Sequence, residues 1–269
     1  MRKNSGRAGN ARRRHFVARF GVGFIAVALL AGACESKSSS SRSSRLHDKE
    51  DPVVSTDSGS GLNSDPVNSG QSPSPAPRPL RAEDFLLTAG TETRGFREEP
   101  AEPTAEPSTL FEDNVIECTG TNPGRVGPAP TDSADGPSFV DDISGTTLRS
   151  FASVYDSSQT VAAHREIVRG DLFAGCYGRA LVDALDSPDS GATLLGTESL
   201  TPPPGATDRI RIRLDMFTED DSFEMYVDLV LVYTGRVEST IVVVNPYEPA
   251  DDELLGELTY QVERKVANQ

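Results

Sequence analysis

The chain has 269 residues, a formal charge of −15, three cysteines, three histidines and no tryptophan. Length allows one or two domains. The acidic balance repels phosphate backbones and excludes nucleic acid as a partner. The first 33 residues carry +7 and no acid, which leaves −22 on the remainder.

The leader is read as a targeting segment. Its basic region precedes Phe20 to Ala33, fourteen apolar residues. As a helix they span about 21 Å, short of the ~30 Å hydrocarbon core of a bilayer. Leu30-Ala31-Gly32-Ala33-Cys34 resembles the bacterial lipobox, with Ala31 where leucine is usual. The resemblance implies that residues 1–33 are a signal peptide and that Cys34 is lipidated, so the chain is held to the membrane by lipid on its outer, extracytoplasmic face. An ordinary secretory signal is the alternative. Arg13-Arg14-His15-Phe16-Val17 looks like a twin-arginine export motif, and the general secretory route stays open beside it.

Residues 34–79 are the lipidated cysteine and a Ser/Pro-rich stretch that cannot bury enough apolar surface to order itself. As a coil it places the domain roughly 35–40 Å from the lipid. The extracytoplasmic domain then spans 80–269, with its best-defined part at 138–266. Arg81 to Thr88 is expected to be a short helix packing Phe85 and Leu86, and Glu92 to Pro107 an extended loop. Asn114 to Cys118 is expected to be a short strand, and Gly120 to Gly136 a loop. Cys118 and Cys176 form an even pair in an exported chain and are expected to make one disulfide, two free thiols being the alternative.

From Thr147 the patterning strengthens. Thr147 to Tyr155 reads as a strand. Ser157-Ser158 offers a cap for a helix to Arg169, and Asp171 a cap for a second helix to Leu185. The second helix carries Phe173, Cys176, Tyr177, Ala180, Leu181 and Ala184 at helical spacing. Ala192 to Leu200 reads as a strand stopped by Pro202-Pro203-Pro204. From Asp208 to Asn245 three strands alternate in period two around the turns at Thr218 to Ser222 and Gly235. Asp251-Asp252 caps a last helix with the stripe Leu254-Leu255, Leu258, Val262 and Val266.

This order predicts an α+β fold: an antiparallel sheet, built on the C-terminal three-strand meander plus flanking strands, with helices packed on one face and a long C-terminal helix. Val227, Leu229 and Leu231 are expected to share a face with Ile212, Leu214, Ile241 and Val243. That face is expected to meet Leu255, Leu258 and Val262, with room for a cavity between sheet and helix.

Catalytic signatures are missing from the sequence. His164 is a lone mid-helix histidine, read as a surface or half-buried residue. No His/Cys cluster offers metal ligation, and Lys265 reads as a helix-end charge. No nucleophile elbow, S-x-x-K, H-E-x-x-H or phosphate-cradling glycine loop is found. The acid clusters fit neither a calcium loop nor any place outside turns and caps. The chain is thus expected to be no enzyme and to use no cofactor or metal. Arg209, Arg211 and Arg213 form a one-sided cationic stripe. They are expected to pair across strands with Glu224 and Asp228, or, with Asp228, to contact an anionic ligand.

Cys118, Cys176 and the run Tyr226 to Arg236 resemble actinobacterial lipoproteins whose domain is related to the extracellular sensor of mycobacterial-type serine/threonine receptor kinases. The shared part is an Asp-bearing strand, a Gly-Arg turn, an apolar strand and a C-terminal helix, covering about residues 110–266. The resemblance implies an α+β domain with a cleft and a sensing role. The expected function is therefore a cell-envelope lipoprotein with a non-catalytic ligand-binding or sensor-like domain, its ligand a small molecule, a lipid or an envelope protein. The alternative is a structural or adaptor lipoprotein that binds another envelope protein. An envelope hydrolase is a third reading.

Overall fold

The period-two patterning of 208–246 sets the architecture. A computed structural model describes residues 79–100, 109–186, 190–218 and 222–267, so the leader, Cys34 and the Ser/Pro-rich stretch lie outside it. Its strands are β1 (Arg97–Glu99), β2 (Asp132–Asp135), β3 (Ser138–Val140), β4 (Thr147–Val154), β5 (Ser190–Leu200), β6 (Asp208–Thr218), β7 (Ser222–Thr234) and β8 (Val237–Pro246). Its helices are α1 (Thr109–Thr119), α2 (Ser158–Val168), α3 (Phe173–Leu185) and α4 (Asp252–Ala267). The eight strands form one antiparallel sheet in the order β1-β3-β4-β8-β7-β6-β5, with β2 beside β3 along the same edge of β4. The α+β class with an antiparallel meander and a C-terminal helix is therefore the observed one. Among the described residues no helix is long and apolar enough to cross a membrane.

The helices divide between both faces of the sheet rather than sharing one. On the first face, Val227, Leu229 and Leu231 join Ile210, Ile212 and Leu214 beneath α2 and α3. On the second, Val230, Val232, Ile241 and Val243 lie beneath Leu255, Leu258, Val262 and Val266 of α4. The register explains the difference from the sequence reading. Leu229 pairs with Val242 and Val227 with Val244, so Ile241 and Val243 point to the opposite face. Leu255, Leu258 and Val262 are fully buried there, and these side chains fill the space where a cavity was expected.

Local chemistry sets most boundaries. Ser157 Oγ accepts from the backbone N of Gln159 at 3.0 Å and starts α2. Asp251 Oδ1 does the same for Glu253 at 2.8 Å beside α4. Gly235, at φ +56°, takes the left-handed conformation that lets β7 turn back into β8 within two residues. Asp171 does not cap α3: Leu172 holds that position without a side-chain cap, and the helix starts at Phe173.

The N-terminal part departs most from expectation. Residues 114–118 are helical, in α1, not a strand. β-branched Val115 and Ile116 favour a strand locally, but α1 packs on α3 and buries Val115, so tertiary contact overrides propensity. The expected loop 120–136 holds a short 3-10 turn at Pro123–Arg125 and strand β2. The short helix near residue 81 is a 3-10 turn at Ala82–Phe85 that buries Phe85. The segment after it is fastened across the domain. Leu87 N donates to Ser150 Oγ at 2.8 Å, Thr88 exchanges two hydrogen bonds with the Gln261 side chain, and Lys265 Nζ donates to Leu86 O at 2.6 Å.

Cys118, on the last turn of α1, and Cys176, inside α3, form a disulfide with a Cα–Cα distance of 5.6 Å. Cys176 is buried and Cys118 exposed, and Arg179 Nη2 donates to Cys118 Sγ at 2.9 Å. The bond closes a loop of sequence separation 58. Reduction is expected to cost about 2–4 kcal/mol by releasing that loop in the unfolded chain. Calorimetry with and without reductant checks this, and an unchanged melting temperature would rule the contribution out.

Candidate functional site

The arginine stripe lies where β6 pairs with β7 on the α4 side. Arg211 stands opposite Asp228, Arg213 opposite Tyr226 and Asp215 opposite Glu224. Asp228 is completely buried. Its Oδ1 accepts from Arg209 Nε at 3.0 Å and from Arg211 Nε at 3.1 Å. Arg209 also reaches Asp252, in the first turn of α4, through Nη1 at 2.7 Å. The hydrogen bond and charge of Arg209 hold the Asp252 carboxyl below its ordinary range. Arg211 Nη2 donates to the carbonyl of Ala250 at 3.4 Å. Two guanidiniums and two carboxylates thus close the junction between sheet and helix.

This arrangement uses Arg209, Arg211 and Asp228 structurally. Glu224 takes no arginine among the described residues; its carboxylate accepts from Tyr226 Oη at 2.5 Å, which, with burial, raises the phenol pKa against the opposing charges of Arg213 and Arg211. Arg213 is different. Its Nε is buried with no hydrogen-bond partner, and the guanidinium joins no ion pair among the described residues. The residue opposite Arg213 on β5 is Gly196, just past a register shift at Leu194, and a Cβ there would meet nothing within 4 Å. Thr193, Glu198 and Glu224 around it are exposed. α4 packs on β7 and β8, so the β5–β6 half of this face carries an open strip with Arg213 at its centre and the Tyr226 ring at its side.

A second polar cluster was missed in the sequence. His164 on α2 is fully buried, not superficial. Its Nδ1 lies 3.0 Å from Glu238 Oε2 on β8, and its Nε2 lies 2.6 Å from the carbonyl of Val126. Both partners are acceptors, so the geometry suits an imidazolium that donates twice. Burial opposes the charge, but the hydrogen bond and charge of Glu238, with the Val126 carbonyl, outweigh it and raise the pKa above 6.5. Tyr155 meets the ring edge-on at 5.0 Å between centroids. Only the spacing of a lone histidine was visible in sequence; Glu238 stands 74 residues away.

A separate open cleft of about 340 Å³ lies where α2 meets α3, lined by Thr121, Arg125, Glu166, Asp171 and Phe173 among others. It is on the other side of the sheet from the arginines. Among the described residues no group of three or more His, Cys, Asp or Glu side chains converges as a metal site.

The site and fold define an α+β domain with a buried ionic junction between sheet and C-terminal helix. No protein-family model matches the chain, and no curated protein matches it. Among solved structures it is similar to the crystal structure of the extracellular domain of PknH from Mycobacterium tuberculosis, at 10% identity and a TM-score of 0.38. The likeness covers 70% of this chain and 96% of that one, and at this level it carries no functional argument.

Proposed function

We propose that the chain is a cell-envelope lipoprotein, anchored through Cys34 on the outer face of the membrane, whose domain is a non-catalytic, sensor-like binding module. The observation that supports binding is the open strip on the α4 side of the sheet. There Arg213 stands without an acceptor among the described residues, between Gly196 and Tyr226, while its two neighbours in the stripe are neutralised. A guanidinium of this kind takes a carboxylate or similar organic anion in a forked pair, with the tyrosine ring alongside.

The test separates binding from folding. Isothermal titration of the protein with acetylated acidic dipeptides should show binding that Arg213→Gln lowers at least tenfold. The same variant should keep its melting temperature, since no pairing is lost. Undiminished binding by Arg213→Gln would remove the site, as would a large loss of stability in that variant.

The anchor is tested separately. Cys34→Ala is expected to release the chain into the soluble fraction without changing the domain's melting temperature, because the tether separates lipid from core. A variant that still sediments with membranes in high salt is held by something else. Two acyl chains are enough for stable attachment.

One observation favours a second reading, an adaptor that binds another envelope protein. The interface of α4 with the sheet, the expected place for an enclosed ligand, is packed solid by Leu255, Leu258 and Val262.

A further inference from the structure

One end of the sheet carries an apolar ridge on two rigid turns. β4 begins there, β8 ends there, and β7 starts beside it: Thr147 pairs with Val244, and Met225 with Pro246. The turn before β4 is fixed by its own side chains. Asp141 Oδ1 accepts from Ile143 N at 2.9 Å and Oδ2 from Ser144 Oγ at 2.7 Å. Gly145 N donates to Asp141 O at 2.8 Å, and the Thr146 hydroxyl donates to the Asn245 side chain. At the apex of this turn Ile143 is 96% exposed.

The turn after β8 stands against it. A Cβ on Gly145 would lie 3.2 Å from Pro246 Cγ, so the two turns touch. Tyr247 has φ +75°, a left-handed backbone that no other described non-glycine residue adopts. For an aromatic residue this conformation is strained and persists only where the surroundings enforce it. Here Tyr247 N donates to Glu224 O at 2.7 Å, and the ring packs 5.5 Å from that of Phe223. The residue is nevertheless 70% exposed. Ile143 on one turn, and Pro246 and Tyr247 with Phe223 beside the other, thus stand at the same end of the sheet.

We propose that this ridge docks a partner protein segment that presents an apolar side chain flanked by lysine or arginine. Folding alone gives no reason to fix an isoleucine at nearly full exposure or to bend a tyrosine into a strained backbone. Binding does: preorganised turns lose little entropy on association, and tyrosine is a frequent anchor at interface centres. The partner's charge is set by the rim. Asp142, Glu224 and Glu248 are exposed around the ridge, and the chain carries −15. Only Asp142 has a cationic neighbour there among the described residues, Arg97 at 2.8 Å. An anionic bilayer is disfavoured by the same rim. It is also disfavoured by polarity: Ala82 N binds Asp132, which pairs with Val154, so the chain enters at the far end of β4. This inference does not rest on Arg213, which lies on the face of the sheet, although Glu224 borders both places.

The experiment selects displayed random dodecapeptides on the full chain. The best peptides are then titrated by fluorescence anisotropy against the wild type, Ile143→Ser and Tyr247→Asn. Asparagine tolerates the left-handed backbone, so the second variant keeps the turn. Selected peptides should be net basic with an apolar centre. Each variant should bind at least tenfold more weakly at an unchanged melting temperature, and added salt should weaken the wild-type affinity. The proposal is overturned if no peptide binds, or if both variants bind like the wild type. It is equally overturned if the ridge serves another occupant. That outcome would be Cys34→Ala sedimenting with phosphatidylcholine–phosphatidylglycerol vesicles unless Ile143 is also changed to Ser, or a dimer in sedimentation equilibrium that Ile143→Ser dissolves.

Discussion

Asp228→Ala is expected to cost about 3–5 kcal/mol, because it leaves buried guanidinium charge without its counter-ion. Asp228 is fully buried, and both Arg209 and Arg211 depend on it. Leu229→Ala, one residue along, faces the opposite core beneath α2 and α3 and should cost about 2–5 kcal/mol through lost burial and the cavity left behind. Urea midpoints measure both. Large losses in both variants identify β7 as a strand buried on two faces; a loss under about 1 kcal/mol for Asp228→Ala would mean a solvated surface pair and would contradict the junction. The triple variant Asp228→Leu with Arg209→Met and Arg211→Met should recover part of the loss, since apolar replacements remove both stranded guanidiniums as well as the pairs.

The second large effect concerns His164. His164→Ala at neutral pH strands the Glu238 carboxylate, whose Oε1 already lacks a partner, and should cost about 3–5 kcal/mol. The pair also fixes a sign. Its histidine pKa is raised above 6.5, so the folded state holds the proton more tightly than the unfolded chain. The stabilisation is complete below pH 6.5 and is lost as pH rises through the folded pKa. Glu238→Gln removes the carboxylate that outweighs burial. In that variant burial disfavours the charged ring, and stability should fall on acidification instead. Denaturant midpoints at several pH values read the two slopes. Equal slopes in wild type and Glu238→Gln would mean that His164 is not the group responsible.

Much of the fold was legible because period-two patterning in β6, β7 and β8 is strong and their turns are short. The hydrophobic stripe of α4 was legible for the same reason at helical period. The face on which α4 sits was not. β7 is apolar on both sides, with Leu229 and Leu231 against α2 and α3, and Val230 and Val232 against α4. A strand buried on both faces reads as one continuous run, and periodicity cannot assign its sides. Helix α1 was misread as a strand because Val115 and Ile116 have β-branched side chains, whereas its packing partner α3 lies far along the chain.

The candidate site was half legible. An acid opposite the arginine stripe was implied by cross-strand geometry, and Asp228 is that acid. Which arginine remains unpaired depends on Asp252, 43 residues beyond Arg209, and on how α4 begins. His164 gave no signal because its partner is distant and both residues vanish into the interior. Ile143 and Tyr247 sit in turns where composition is uninformative, and the left-handed backbone of Tyr247 is a property of its surroundings.

The hydrogen bonds that join residues 86–88 to Gln261 and Lys265 have a mechanical consequence. Tension drawn along the preceding chain enters the domain near residue 79 and passes directly into its last helix, across a sequence separation of 173. The first and last described segments therefore act as the two halves of a clasp. A load on residues 86–88 is borne by α4 as well.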